Sequence, residues 1–426
     1  MRIALVGPTH PYKGGIAQHT TELAHRLAER GHDVVIESWS DQYPARLYPG
    51  QARVREPEME PFPATRYPLS WRRPDGWLRL GRRLRRTADA VVLVVVTPVQ
   101  APAYLAILAG LGRTAPVRSG IGRAAPDRTV LGRRVRGGGT PRVLALCHNV
   151  LPHERSRIDE PLIRMVLRRA SAVLVHTPAQ AELAASLTPV AVVTAEMAPH
   201  LWSSPTRRRP PSPSSAVPPS SAVPPSSAVP PSSAVPAPVA GTEPSRRLLF
   251  FGLVRPYKGL DVLLRALADG PSDVRLTVAG EFWGDLAATQ RLVDELGLAD
   301  RVELRAEYID AADVPALFDA ADALVLPYRA GTASQNVDLA RLHGLPVIAT
   351  TVGTLASSVR DGVDGLLVPP DDTAALAAAL HRLYAPGVLA DLRAKVAPPD
   401  VPAAWSRYLD VTLAALADGA DGKVDR

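Results

Sequence analysis

A chain of 426 residues, 46% of them hydrophobic, is longer than one core usually organises, so two domains are the default. A single cysteine, Cys147, excludes an internal disulfide and any multi-cysteine metal site, and no apolar run approaches the roughly 20 residues of a membrane helix. The net charge of +7 is uneven: residues 72 to 86 hold seven arginines against one aspartate and residues 113 to 142 eight against one, which leaves the remainder net acidic.

Residues 3 to 6 read as a buried strand with neither a charged leader nor a cleavage site before it, which sets the expectation of a cytoplasmic protein. A helix follows, with Ile16, Thr20, Leu23, Ala24 and Leu27 at helical spacing, and then a strand over 34 to 36, completing a βαβ unit. The arginines Arg72, Arg73, Arg79, Arg82, Arg83, Arg85 and Arg86 are expected to meet a phosphorylated acceptor or the inner face of an anionic membrane, with a solvated helix face as the alternative. Aromatic residues near them are few, Trp71 and Trp77 aside, which argues against nucleic acid. Strands over 91 to 96, 143 to 147, 173 to 176 and 190 to 193, with helices at 162 to 169 and 180 to 187, complete an N-terminal domain over 1 to 202. Residues 113 to 142 are expected to be a mobile insertion within it.

Residues 203 to 245 carry the hexapeptide SSAVPP starting at Ser214, Ser220, Ser226 and Ser232, too rich in proline for helix and too small-chained for a core, so a disordered linker is expected. Alternation resumes over 246 to 400, with strands at 248 to 251, 275 to 279, 302 to 304, 323 to 326, 347 to 349 and 366 to 368. A last helix over 401 to 417 shows Trp405, Tyr408, Leu409 and Leu413 at helical spacing and is expected to leave this domain and pack on the first one. The fold class is therefore α/β, two doubly wound Rossmann-like domains with parallel sheets, and ligands are expected beyond the carboxyl ends of the strands. Basic residues number 45 arginines and only four lysines, the usage of a GC-rich bacterial genome, and two of those lysines, Lys13 and Lys258, precede a glycine in a strand-to-helix loop.

Four loops carry chemistry. Lys13-Gly14-Gly15 offers a tight turn and a helix N-terminus to an anion, or is only a turn, and it lacks the G-x-G-x-x-G dinucleotide fingerprint. In the loop from 252 to 259, Arg255 and Lys258 suit a diphosphate and are expected to be solvent-facing in the empty protein. His148, just past a central strand, suits a sugar hydroxyl or a proton transfer, or is a satisfied core histidine; with His153 and Glu154 it lacks the spacing of a zinc site. Ser334 is read as the N-cap of a helix whose amides at Gln335, Asn336 and 337 face the cleft, and Asp338 suits a ribose hydroxyl or the helix dipole.

These pieces in combination, with "GHDVVI", "HNVLPHE", "FFGLVRPYKGLDVLLRAL", "VAGEFW", "ADALVLPY", "GLPVIATTVG" and "DGVDGLLVPPDD", resemble the retaining glycosyltransferases of family 4, which have the GT-B fold. The resemblance implies transfer of a sugar from a nucleoside-diphosphate sugar to a hydroxyl of a glycan or lipid-linked acceptor. It places Arg255 and Lys258 on the donor diphosphate, the Gly14-Gly15 loop over it, and His148 near the transferred sugar, without cofactor or metal. Many members carry two glutamates around the fourth loop. Here "YRAGTASQNVDLARLHGLPV" has none; a serine-containing turn and Asp338 stand there, and Glu281 is the candidate substitute. A catalytically silent scaffold, or a sugar-nucleotide isomerase or phosphorylase, are the alternative readings.

Overall fold

The computed structural model describes residues 1–42, 53–54, 57–113, 140–152, 156–200, 246–331 and 334–417. The linker and nearly all of the arginine-rich insertion, with His153 and Glu154, lie outside them. The first sheet comprises β1 (Arg2–Val6), β2 (Asp33–Asp41), β3 (Thr65–Ser70), β4 (Ala90–Val95), β5 (Arg142–Cys147), β6 (Ala172–Val175) and β7 (Val192–Thr194). All are parallel, in the order β3-β2-β1-β4-β5-β6-β7. Around it pack α1 (Gly15–Glu29), α2 (Asp75–Thr87), α3 (Ala101–Gly110), α4 (Asp159–Leu167) and α5 (Pro178–Leu187).

The second sheet is also parallel: β8 (Arg247–Phe251), β9 (Arg275–Ala279), β10 (Val302–Arg305), β11 (Ala323–Leu326), β12 (Val347–Thr350) and β13 (Gly365–Val368), in the order β10-β9-β8-β11-β12-β13. Its helices include α6 (Leu260–Ala268), α7 (Leu286–Glu295), α8 (Val314–Asp319), α9 (Asn336–Leu342), α10 (Leu355–Ser358), α11 (Thr373–Leu383) and α12 (Val388–Lys395). Strand order reverses beside β1 and beside β8, so the loops leaving those strands part to opposite faces and open a crevice at each sheet's carboxyl end.

Central strands are buried on both faces, which is why they read as unbroken apolar runs. Along β4, Val91 and Leu93 enter the core beneath α2 and α3, while Val92 and Val94 enter the one beneath α1. That second core also takes α13 (Val401–Ala417), which returns from the second domain. Trp405, Tyr408 and Leu409 are buried there, and the Trp405 indole donates to the Pro199 carbonyl at 2.8 Å. Sequence reading finds neither β3 nor α3: β3 is interrupted by Pro68, and α3 opens on Ala101-Pro102 and is apolar all round, leaving no amphipathic period.

Candidate active site

A cleft of about 370 Å³ lies between the carboxyl ends of the two sheets. The first domain contributes Lys13, Gly14 and Gly15, where α1 begins, together with Gln18 and Glu58. The second contributes Gly252 and Lys258 from the β8–α6 loop, Glu281 after β9, Tyr308, and the turn at Ser334, Gln335 and Asn336.

The β8–α6 loop folds into a 3₁₀ turn, Pro256–Lys258, and then Gly259. Only glycine serves at 259: φ is 67°, and a Cβ would lie 2.0 Å from the Pro327 carbonyl oxygen. This close approach draws Lys258 into the protein. Lys258 is 9% exposed, which corrects the expectation of a solvent-facing side chain. Its ammonium lies 5.3 Å from the centre of the Tyr328 ring and makes no ion pair among the described residues. Burial pushes its pKa below the ordinary lysine value, nearby Arg255 pushes the same way and Tyr257 opposes. The result is a desolvated cation on the wall of the cleft.

Arg255 is half-buried and does not line the cavity; its guanidinium lies 4.5 Å from the centre of the Trp283 ring. The Trp283 indole donates to Glu281 at 3.3 Å. Glu281 in turn forms an ion pair with Lys13, so this contact bridges the two domains across the cleft. The Lys13 side chain is 5% exposed, and its ammonium also lies 4.9 Å from the centre of the Tyr308 ring. Burial lowers its pKa and Glu281 opposes that shift.

Asn336 and Gln335 tie the turn in place: the Asn336 amide donates to the Phe251 carbonyl at 3.0 Å, and the Gln335 side chain accepts the His200 backbone N–H at 3.2 Å. Ser334 is not the N-cap. Helix α9 starts at Asn336 with Gln335 in the cap position, and the Ser334 carbonyl accepts from Val337. Asp338 does not line the cavity; it lies 3.7 Å from Arg341, and burial raises its carboxyl pKa to about 6, with Glu196 adding to the shift.

His148 does not line the cavity either. It is packed beneath α1, its ring centre 4.8 Å from that of His19 and 5.0 Å from that of His176. With His200 these four rings are buried together against Trp405 and Tyr408. Burial holds all four below the ordinary histidine pKa, His176 and His200 at about 4, so they are neutral at pH 7. Among the described residues no group of three or more His, Cys, Asp or Glu is arranged to hold a metal ion.

Glu58, like Gln18 and Tyr308, is a cleft residue that sequence reading missed. It comes from a stretch without periodicity, beyond a segment outside the described residues, so no motif marks it. One carboxyl oxygen accepts from the Gln18 amide at 2.5 Å, and the other is buried without a partner among the described residues. Burial pushes its pKa up to about 7, against the Gln18 hydrogen bond and the Lys13 charge, while Asp310 raises it further.

Residues 245–386 match the family model described as "Glycosyl transferases group 1", and residues 13–118 match "Glycosyltransferase Family 4". D-inositol 3-phosphate glycosyltransferase of Mycobacterium marinum is 36% identical over 148 residues, 34% of this chain and 31% of that protein. D-inositol 3-phosphate glycosyltransferase 1 of Catenulispora acidiphila is 34% identical over 189 residues, 41% and 44% of the two chains. The chain thus spans less than half the length of these relatives. Among solved structures, Anabaena Alr3699/HepE in complex with UDP superposes with a TM-score of 0.59 at 16% identity over 97% of this chain and 98% of that one. The lipopolysaccharide-biosynthesis glycosyltransferase WaaG does so with 0.59 at 14% identity over 98% and 100%. With a family match on each domain and this architecture shared from end to end, the chain belongs to the GT-B glycosyltransferases of the family 4, group 1 type.

Proposed function

We propose that the protein transfers a glycosyl group from a nucleoside-diphosphate sugar to an acceptor hydroxyl, with retention at the anomeric carbon and without a metal ion. The observation that carries this reading is Lys258: a buried cation with no counter-ion among the described residues, at a strand-to-helix loop on the wall of an interdomain cleft. As the bond from sugar to diphosphate breaks, negative charge grows on the leaving oxygens. A fixed, desolvated ammonium stabilises that charge more than water does, because it does not have to reorient.

Arg255, backed by Trp283, adds a second cation beside the loop, and Gly14 and Gly15 present the amino end of α1 to the same anion. Gln335 and Asn336 offer amides to the donor, and Glu281 with Glu58 supplies the carboxylates absent from the fourth loop. The HepE structures are complexes with UDP and with UDP-glucose, which supports a nucleotide sugar as donor. The curated relatives are named for an inositol phosphate, which supports a phosphorylated acceptor. Transfer would take place in the cytoplasm, where sugar nucleotides are made. No helix among the described residues is long and apolar enough to cross a membrane.

A thermal-shift screen of nucleotide sugars, followed by turnover with the stabilising donor, tests the reading, since a ligand raises stability with the logarithm of its concentration over Kd. Absence of a shift with every donor favours the silent scaffold, and loss of turnover with chelator, restored by a divalent ion, removes the metal-free mechanism.

A further inference from the structure

A second cavity, also about 370 Å³, opens on the first domain between β3 and the start of α2, lined by Ser40, Tyr67, Ser70, Arg73, Arg79 and Arg83 and, among the described residues, by no acid. The packing of α2 builds it. Leu80 and Leu84 face the core, and Gly81 lies so close to α3 that a Cβ would be 2.2 Å from the Ile107 carbonyl oxygen. The first turn is pinned by the Trp77 indole, which donates to the Ser70 carbonyl at 2.9 Å. Residues 76, 79, 80 and 83 then share one helix face, with Arg79 and Arg83 one turn apart.

The arginines are held differently. Arg83 donates at 2.5 Å to Glu37, whose side chain is 1% exposed and which Arg66 also approaches at 3.6 Å, so a buried carboxylate fixes its guanidinium. Arg79 pairs with exposed Asp75, and Arg73 makes no ion pair among the described residues. On the cavity floor the Ser70 hydroxyl donates to Asp41 at 3.3 Å and the Ser40 hydroxyl donates to the Leu69 carbonyl at 3.1 Å. The Tyr67 hydroxyl donates to the His10 carbonyl at 2.7 Å, three residues before Lys13, which joins this wall to the loop of the donor cleft.

We propose that this cavity binds a phosphate ester through Arg73, Arg79 and Arg83, and that it anchors the acceptor beside the donor cleft. The acceptor role rests on the glycosyl-transfer reading; the anion site does not. Three guanidinium forks suit the several oxygens of a phosphate better than the two of a carboxylate. Tyr67, the one aromatic in the lining, has its hydroxyl engaged, and nothing stacks a base. Either a soluble phosphorylated acceptor or a lipid headgroup supplies this chemistry.

The test uses the full chain at constant ionic strength, with inorganic phosphate and UDP titrated separately against the wild type and an Arg73→Ala, Arg79→Ala double variant, whose two side chains are exposed. Phosphate is expected to raise the wild-type melting temperature saturably, also in excess UDP, and the double variant to bind it at least about tenfold more weakly, the scale of losing a charge-assisted hydrogen bond. The UDP shift should be equal in both proteins. Undiminished phosphate affinity in the variant, or loss of the phosphate effect in excess UDP, overturns the site. A phosphate effect without any shift from UDP or a nucleotide sugar overturns the acceptor role and the transfer reading while the anion site stands. Sedimentation of the wild type with phosphatidylglycerol but not phosphatidylcholine vesicles, relieved by phosphate, identifies the headgroup source. Phosphate binding without sedimentation identifies a soluble acceptor.

Discussion

Replacing Lys258 with methionine separates a site cation from a structural one. Methionine nearly keeps the side-chain volume and removes the charge, whereas alanine would leave a cavity at this 9%-exposed position. One unit charge about 4 Å from another is worth about 4 kcal/mol at an effective dielectric of about 20. If about two thirds of a unit of charge develops on the leaving oxygen at the transition state, about 2.7 kcal/mol is lost, or roughly 10²-fold in kcat/KM. Stability should move the other way. Because burial lowers the pKa of Lys258, the folded protein holds this proton less tightly than the unfolded chain, and the charged form penalises the fold wherever the pH lies below the folded pKa. Lys258→Met should therefore melt at the same temperature as the wild type or higher, while turnover falls and the shift induced by the donor shrinks. Lys395→Ala, which removes an exposed ion pair with Asp391, is the matched control. The assays are initial-rate kinetics with the stabilising donor and thermal melts with and without UDP. Normal kcat/KM in Lys258→Met would falsify the placement of the diphosphate at this loop, and a large fall in melting temperature would make the lysine a structural residue.

Glu58, raised from 4.5 to about 7, contributes stability that is full below about pH 4.5 and lost as pH rises through 7; Glu58→Gln should flatten melting temperature over that window and raise it above pH 7. His176 and His200, at about 4, act in the opposite sense: stability falls as pH drops from about 6.5 to 4, by on the order of 3 kcal/mol for each histidine, and Trp405 fluorescence should report loosening of α13 in that range. Trp405→Ala should cost about 3–5 kcal/mol, the range for emptying a buried aromatic site, read as a lower denaturation midpoint of the first domain. A midpoint within experimental error of the wild type would mean that α13 does not hold that core together.

Much of the architecture was legible in the chain because parallel strands buried on both faces leave continuous apolar runs such as residues 91 to 95, and amphipathic helices such as α1 leave a 3.6-residue period. Elements that lacked such a signal went unread, among them β3, broken by Pro68, and α3, apolar all round. The two strand-to-helix loops with Lys13 and Lys258 were legible for a similar reason, since glycine beside a cation after a strand is a local pattern. Their sequence fixes neither the depth of a side chain nor its partners. Lys258 is buried because Gly259 lets the loop press onto Pro327, and the pairing of Lys13 with Glu281 joins residues 268 positions apart.

What only the tertiary structure decided is which groups share a space. It gathers His148 with three other histidines beneath Trp405 rather than on the cleft, turns Asp338 toward Arg341, and brings Glu58, which no motif marks, into the wall of the interdomain cleft. It likewise bends the arginine-rich segment, a plain charge run in one dimension, around a cavity lined by three arginines and two serines. The physical reason is range. Periodicity and turn chemistry act over a few residues and are written locally, whereas desolvation and charge pairing depend on distance in space, which is set only when the two sheets and α13 have packed.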